Sequence, residues 1–180
     1  MIYMFIAEGF EEIEALCPLD IIRRAGLEIT TVGIGSTSIT GAHSITVNTD
    51  IKDTDFDADC NFDMIFLPGG MPGTLNLANS KTVIDAIKKA AKQEKYIAAI
   101  CAAPSILGDM GLLGGKEAIC YPGFESRLTG ATVSDKRVVL DGNILTAAGM
   151  GVAIDMGLKI VEIFCDKEKA TSLRRAIIAD

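Results

Sequence analysis

One cysteine of this sequence stands where nucleophilic chemistry can be expected. Cys101 follows the apolar run of a predicted strand, and the small residues Ala99 and Ala103 stand two positions before and two after it. A nucleophile elbow requires small residues there, because the strand turns sharply into a helix that packs close to it. A helix predicted over 102–110 would place backbone N–H groups and the helix dipole beside the sulfur and lower the pKa of the thiol. A thiolate is a nucleophile and is also the form of cysteine that oxidises most readily.

Backbone N–H groups close to Cys101 could hold an oxyanion. Gly69 and Gly70 follow a buried strand predicted over 64–67, and paired glycines let the backbone approach a ligand closely. With Cys101 at the end of another strand, the N–H groups of Gly70 and Ala102 are the predicted donors of an oxyanion hole. The Pro-Gly-Gly sequence taken alone is equally typical of an ordinary turn.

The other candidate for chemistry is a glutamate in the first predicted helix, over 11–25. Glu14 lies four residues before Pro18, and a proline cannot donate a hydrogen bond to the carbonyl four residues back. We therefore expect the helix to bend at Glu14. A carboxyl group held near a thiol can keep its proton, donate it to a thiolate and carry it between atoms. The sequence leaves open the alternative that Glu14 is an ordinary solvated helix residue.

The remaining cysteines are expected to matter less than Cys101. Free cysteine is among the most buried residue types, so Cys17, Cys60 and Cys165 are predicted to be inert core residues. Cys120 is expected near the pocket of the candidate nucleophile without being the nucleophile itself. An odd number of five cysteines, with no C-x-x-C pair, predicts free thiols in a reducing, cytoplasmic compartment and no metal site.

The composition excludes several classes of protein. The 180 residues are 49% hydrophobic and 23% charged, which is the balance of an ordinary globular protein, and one domain over 1–180 is predicted. A net charge of −7 argues against nucleic acid as a partner. No apolar run approaches the ~20 residues that cross a bilayer, and the opening residues lack the features of a signal peptide. A single histidine, His43, excludes mechanisms that need two.

Short apolar runs alternate with helical patterns along the chain. This alternation predicts an α/β protein with a mostly parallel sheet and helices on both of its faces. In such sheets, ligands bind beyond the carboxyl ends of the strands near a switch point, which is where Cys101 and the paired glycines fall. Strands are predicted over 2–7, 27–34, 64–67, 96–100, 138–140 and 144–146, a small hairpin over 38–47, and further helices over 81–93, 152–164 and 170–178.

The ordered set of these motifs resembles the ThiJ/PfpI superfamily, in its DJ-one branch. The resemblance is carried by the first helix, the turn at 67–70, the elbow at 99–104 and the segment at 145–149, and it spans nearly the whole chain. It implies a flavodoxin-like three-layer sandwich of the class I glutamine amidotransferase type. It also implies a homodimer as the usual assembly.

The resemblance further implies roles for the candidate residues. Cys101 would be the reactive, oxidation-prone thiol and Glu14 its partner carboxyl, and Gly70 and Ala102 would donate to the oxyanion site. The activities implied are cofactor-free conversion of methylglyoxal or glyoxal to hydroxy acids, deglycation, peptide hydrolysis and chaperone-like protection. A small aldehyde is thus the expected substrate. The alternative is a redox sensor, in which Cys101 is oxidised to the sulfinate without turnover.

Two positions depart from the family pattern. The peptidase branch carries a histidine directly after the cysteine, where this sequence has Ala102, and many relatives carry a downstream histidine where Tyr121 and Pro122 stand here. His43 falls in the small hairpin, which in the family lies near the dimer contact, and whether it reaches the pocket is left open. Because no other base is evident to activate the thiol, peptidase chemistry is disfavoured. A chaperone role would require an exposed apolar surface. Gly69, Tyr121, Pro122 and His43 are the predicted further residues of the pocket.

Overall fold

A central sheet of seven strands lies between two layers of helices. In the computed structural model, which describes residues 1–57 and 59–179, neighbouring strands of this sheet are parallel except for the hairpin at one edge. The strands are β1 (Ile2–Ile6), β2 (Ile29–Gly33), β3 (Ser38–Thr40), β4 (Thr46–Asn48), β5 (Ile51–Lys52), β6 (Met64–Leu67), β7 (Tyr96–Ile100), β8 (Glu117–Ala118), β9 (Thr132–Val133), β10 (Val138–Asp141) and β11 (Ile144–Ala147). The helices are α1 (Glu12–Arg24), α2 (Gly73–Asn79), α3 (Lys81–Lys92), α4 (Pro104–Asp109), α5 (Ala153–Phe164) and α6 (Lys167–Ala176).

The order of the strands creates a switch point next to β1. The strand order of the sheet is β10-β11-β7-β6-β1-β2-β5. Strands β2 and β5 therefore lie on one side of β1, and β6 and the later strands lie on its other side. Ile2 is accordingly opposite Ile29 on one neighbouring strand and Met64 on the other. Ligands of open parallel sheets bind beyond the carboxyl ends of strands at such a point. The loops that follow β1, β6, β7 and β11 therefore meet where a site is expected.

Two apolar clusters fill the space between the sheet and the helices. Successive side chains of a strand point to opposite faces, so Phe5 belongs to the cluster under α3 and α4, and Met4 to the cluster under α1 and α5. Both side chains are fully buried. The predicted three-layer, flavodoxin-like α/β arrangement is confirmed. Among the described residues, no helix combines the length and apolar character that crossing a membrane requires.

Several predicted element boundaries need correction. The helix predicted over 102–110 begins only at Pro104 and ends at Asp109, because residues 101–103 form a turn and proline suits the first position of a helix. The last helix begins at Lys167, where the side chain of Asp166 accepts a hydrogen bond from the backbone of Lys169. Helix α2 was not predicted, since it starts with a glycine directly after Pro72 and lacks an amphipathic pattern.

Candidate functional site

Cys101 occupies the sharp turn that the sequence predicts. Its φ of +64° is unusual for a residue with a side chain, and it lets the chain leave β7 and turn abruptly towards α4. The turn is fixed from both sides, because the N–H of Cys101 donates to the carbonyl of Ala147 at 2.9 Å and its carbonyl accepts from the N–H of Tyr121 at 2.7 Å. Ala99 and Ala103 are fully buried, which agrees with the need for small residues beside the turn.

Glu14 reaches into the site from α1 and is not solvated. Only 1% of the residue is exposed, so the alternative of an ordinary surface glutamate is wrong. Its Oε2 accepts a hydrogen bond of 3.1 Å from the N–H of Gly69, and its carboxyl group is also hydrogen-bonded to the thiol of Cys101. A further backbone hydrogen bond comes from Met150, in the loop after β11. The predicted acid and the predicted thiol are thus in direct contact.

Gly69 separates the acid from the thiol and has no room for a side chain. A Cβ atom at this position would lie 2.6 Å from the Glu14 carboxyl oxygen and 2.7 Å from the Cβ of Cys101. Both distances are shorter than a van der Waals contact between such atoms. The absence of a side chain at Gly69 is therefore what allows Glu14 and Cys101 to meet.

Burial raises the pKa of Glu14 to about 7. The hydrogen bonds from Cys101 and from the backbone of Gly69 and Met150 act in the opposite direction, while the negative charge of Glu11 raises the pKa further. The effect of burial is the largest of these, because desolvation penalises the charged carboxylate. Near neutral pH a large share of the Glu14 carboxyl groups consequently carries a proton.

The thiol of Cys101 does not have the lowered pKa that the sequence suggested. Burial, followed by the charge and hydrogen bond of ionised Glu14, raises its pKa to about 12. Hydrogen bonds from the N–H groups of Ala102 and Gly70 lower it, without offsetting burial. The expectation was wrong because it rested on a helix starting beside the sulfur, whereas α4 begins at Pro104 and is short. A protonated Glu14 carries no charge, so it disfavours the thiolate less than ionised Glu14 does.

Two backbone N–H groups converge on the sulfur, as the sequence predicts. They belong to Gly70 and Ala102, which come from the loops after β6 and β7. Gly70 has a φ of +91°, and a Cβ there would overlap the backbone of Phe10 and Glu11. Only glycine can therefore bring this N–H to the site. Donors placed in this way can stabilise negative charge on sulfur or on an oxygen bonded to a carbon next to it.

An open cavity of about 330 Å³ leads from the surface to Cys101. It brings together six of the predicted residues, which are Cys101, Glu14, Gly70, Ala102, Tyr121 and His43. Gly69 lies behind the acid, and Pro122 is exposed outside the lining. Four lining residues were not predicted: Glu11, Met71, Phe124 and Met150. Three of these lie within a few residues of predicted positions, but Met150 comes from a loop that only the sheet order brings to the site.

His43 reaches the cavity because Glu12 ties its hairpin to the start of α1. The Oε1 atom of buried Glu12 accepts hydrogen bonds from the backbone N–H groups of His43, at 2.8 Å, and of Ile45. Its Oε2 atom lies 3.0 Å from the Nδ1 atom of the His43 ring. Burial alone would raise the pKa of Glu12, but these hydrogen bonds outweigh it and hold that pKa below the usual range. The hydrogen bond to Glu12 in turn raises the pKa of His43.

Glu11, Glu12 and His43 form the group of potential metal ligands found among the described residues. One ligand atom from each of Glu11, Glu12 and His43 lies within 4.8 Å of the others. The Nδ1 atom of His43 is already hydrogen-bonded to Glu12, and it lies 3.4 Å from the Oε2 atom of Glu11. The hydrogen bonds that attach the hairpin therefore account for the arrangement.

The remaining cysteines are free thiols in different surroundings. Cys120 is buried, and burial raises its pKa to about 11. Cys17 and Cys60 are half-buried, and the thiol of Cys60 lies 3.7 Å from the hydroxyl of Tyr3. Cys165, expected in the core, is exposed at the end of α5, because the chain leaves the helix there to start α6.

Known proteins are similar to this chain in both sequence and fold. The sequence matches the DJ-1/PfpI family over residues 1–163. Protein dj-1beta of Drosophila melanogaster is 33% identical over 178 residues, covering 97% of this chain and 95% of that protein. The glutathione-independent glyoxalase DJR-1.2 of Caenorhabditis elegans is 30% identical, covering 94% of this chain and 91% of that protein. Oxidised DJ-1 of Toxoplasma gondii superposes with a TM-score of 0.94 at 31% identity, covering 98% of this chain and 97% of that one. The chain spans 40% of the length of DJ-1 homolog B of Arabidopsis thaliana, to which it is 33% identical.

Proposed function

This chain belongs to the DJ-1/PfpI family, and we propose that it converts small 2-oxoaldehydes such as methylglyoxal and glyoxal into 2-hydroxy acids without a cofactor. The observation that carries the proposal is the hydrogen bond between buried Glu14 and Cys101, beside the N–H groups of Gly70 and Ala102. A relative named as a glutathione-independent glyoxalase supports the same reaction class. Protection against carbonyl stress would be its role.

The first step joins the thiol to the aldehyde. The sulfur of Cys101 bonds to the aldehyde carbon as its proton moves to Glu14, and the electron pair of the C=O π bond moves to oxygen. The N–H groups of Gly70 and Ala102 stabilise that oxyanion. Transfer of the proton from Glu14 to the oxyanion gives a neutral hemithioacetal and returns Glu14 to the carboxylate. A cavity open to the surface supplies the path for the substrate.

The second stage moves a proton between the two adjacent carbons. Glu14, as carboxylate, takes the C–H proton of the hemithioacetal, and the ketone oxygen gains a proton from water as an enediol forms. Glu14 returns its proton to the former ketone carbon, and the hydroxyl on the sulfur-bearing carbon gives its proton to water, which leaves a thioester. One carbon is thereby oxidised and its neighbour reduced. Water then cleaves the thioester into the 2-hydroxy acid and free Cys101. A pKa of about 7 lets Glu14 give and accept the proton with little bias at neutral pH.

Lactate formation from methylglyoxal tests this proposal. Cys101→Ala should abolish it, and Glu14→Gln should lower it by at least about 100-fold, the contribution of a well-placed acid–base group. Cys60→Ala is the matched control, because it removes a thiol that does not line the cavity and should preserve turnover. Turnover that survives both changes at Cys101 and Glu14 would refute the proposal. The deglycase form of the same chemistry is tested by release of an early amine adduct of methylglyoxal with the same variants.

A redox-sensing role is the second candidate. Peroxide would oxidise the sulfur of Cys101 to sulfenate and then sulfinate, each step releasing water as the reduced product. In this role Glu14, hydrogen-bonded to Cys101, would donate its proton to a sulfinate oxygen, and the similar fold of an oxidised DJ-1 from Toxoplasma gondii supports this candidate. Mass spectrometry under graded peroxide separates the candidates. Early oxidation of Cys101 without aldehyde turnover favours the sensor, whereas earlier oxidation of Cys60 or exposed Cys165 would exclude it.

We further propose a homodimer in the cytoplasm. The large apolar side chains of Ile13 and Ile154 are exposed on α1 and α5, which pack side by side. Exposed apolar side chains on adjacent helices are typical of a surface covered by a partner. Light scattering of the purified protein should give twice the monomer mass of 19.1 kDa, and Ile13→Glu should shift it to the monomer. A monomer at micromolar concentration would contradict the dimer.

A further inference from the structure

The mouth of the cavity is lined by apolar side chains, which the reaction proposed above does not require. Met71, Tyr121, Phe124 and Met150 surround the entrance, while Cys101 lies at its base. Met71, Tyr121 and Met150 are 47%, 52% and 52% exposed, so large apolar groups face water together at this point. Exposed apolar groups that converge on a cavity are typical of a ligand-binding surface.

The backbone of Tyr121 is hydrogen-bonded to the elbow, and its aromatic ring lies close to Gly149. Its backbone N–H donates to the carbonyl of Cys101 at 2.7 Å, which ties the residue to the elbow. A Cβ atom at Gly149 would lie 3.4 Å from the Cδ2 atom of the ring, so the ring rests against the bare backbone of that glycine. One side of the entrance is thereby an aromatic ring.

The size of the cavity exceeds what a three-carbon substrate requires. Its volume is about 330 Å³, whereas a water molecule takes up about 30 Å³ and methylglyoxal the space of a few waters. The remaining space lies beside the apolar entrance. A substrate whose aldehyde carbon is bonded to Cys101 would extend its other substituent into that space.

The charges of the cavity argue against an acidic substrate. Glu11 and Glu14 both line it, and the basic side chain among its lining residues, His43, is hydrogen-bonded to Glu12 and lies close to Glu11. A carboxylate on the substrate would meet Glu11 and the ionised fraction of Glu14, while His43 is already engaged by Glu12 and Glu11. An uncharged substituent meets no such repulsion.

Resting on the proposed function, we propose that the site selects uncharged 2-oxoaldehydes that carry an apolar, preferably aromatic, substituent. Tyr121 is the main specificity-determining residue, with Met71 and Met150 completing the contact. The substituent packs against the ring of Tyr121 and displaces water from the entrance. Aryl substituents gain most, because two aromatic rings add a specific stacking preference to the burial of apolar area.

Turnover of a matched pair of substrates tests the selection. The specificity constant kcat/KM for phenylglyoxal, which forms mandelate, should exceed that for methylglyoxal by about tenfold, the order expected for burying part of a phenyl ring. Tyr121→Ser should lower the ratio of kcat/KM for phenylglyoxal to that for methylglyoxal to about two or less, because serine has no ring against which the phenyl group can pack. Val133→Ser, which removes an exposed apolar side chain outside the cavity, should leave the ratio unchanged. A ratio near one in the unmodified protein would overturn the inference.

Alkylation of Cys101 gives a readout that does not depend on turnover. Iodoacetamide, its N-phenyl derivative and iodoacetate each transfer a carbon to the sulfur and release iodide. Rates at Cys101, followed by mass spectrometry and divided by the rates with glutathione, should be about tenfold higher for the phenyl compound and at least about tenfold lower for iodoacetate. Equal normalised rates, or exclusion of the phenyl compound by a partner copy over the entrance, would overturn the inference. Selective alkylation without any hydroxy acid would refute the proposed function and still support the apolar selection.

Discussion

Replacing Glu14 by glutamine should change the stability of the fold in opposite directions at low and high pH. The folded protein raises the pKa of this carboxyl group from 4.5 to about 7, so it binds the proton more tightly than the unfolded chain does. Stability must therefore fall as the pH rises from about 4.5 towards 7, where the unfolded chain has lost a proton that the folded one still holds. Above that range, the buried charge costs about 3 kcal/mol at 1.36 kcal/mol per pKa unit.

Glutamine removes the charge and also weakens a hydrogen bond. The Glu14 carboxyl group accepts from the N–H groups of Gly69 and Met150, and an amide has only one oxygen to offer, so about 1 kcal/mol is lost at every pH. Against the native protein, Glu14→Gln should thus be less stable by about 1 kcal/mol at pH 3.5, about equally stable at pH 5 and more stable by about 2 kcal/mol at pH 8.5. The difference changes sign, which loss of packing alone would not produce.

Urea unfolding at a series of pH values measures the effect directly. The free energy of unfolding is compared for the native protein, Glu14→Gln and the control Glu28→Gln, which alters an exposed glutamate. The control should differ from the native protein by a nearly constant amount. If the Glu14→Gln difference stays constant between pH 5 and 8.5, the carboxyl group does not retain its proton on folding. The proton-transfer mechanism would then lose its physical basis.

Three further substitutions test the packing around the site. Gly69→Ala should lower turnover by at least about 100-fold and destabilise the fold by about 1–3 kcal/mol, because its Cβ would lie within 2.9 Å of three atoms; lactate formation and urea unfolding measure both effects. Thr146→Val should cost about 1–2 kcal/mol in unfolding free energy, since the N–H of Ile119 loses the buried hydroxyl to which it donates at 3.0 Å. Gly108→Ala should lower the melting temperature, although alanine is the better helix former, because its Cβ would overlap the carbonyl oxygen of Arg127; an unchanged or higher value would show that the loop moves away freely.

The sheet and the elbow could be predicted because local sequence determines them. The apolar run before Cys101 suits a strand buried on both faces, and the flanking alanines suit a tight turn, which the positive φ of Cys101 confirms. The convergence of Gly70 and Ala102 followed from the rule that the carboxyl ends of parallel strands share one edge. The assignment of residues 1–180 to a single domain, and the roles given to Glu14 and Cys101, remain predictions.

The features of the site that could not be predicted from the sequence depend on contacts between distant parts of the chain. The pKa of Cys101 is governed by burial and by the charge of Glu14, and neither is a property of the residues next to the cysteine. His43 reaches the cavity because buried Glu12 binds its hairpin, a contact across 31 positions. Helix α2 forms without an amphipathic pattern, where Gly73 can approach the backbone of Phe10 because it has no side chain.

The backbone at position 101 is fixed without any help from its sulfur. Both of its peptide groups are engaged, one with the strand beside it and the other with the segment that carries Tyr121. The side-chain atom presented at this point is therefore exchangeable by a single substitution. A serine there would present oxygen, and a selenocysteine would present selenium, at nearly the same point in space and before the same acid. The scaffold thus offers one location at which nucleophiles of different hardness can be compared with the rest of the protein held constant.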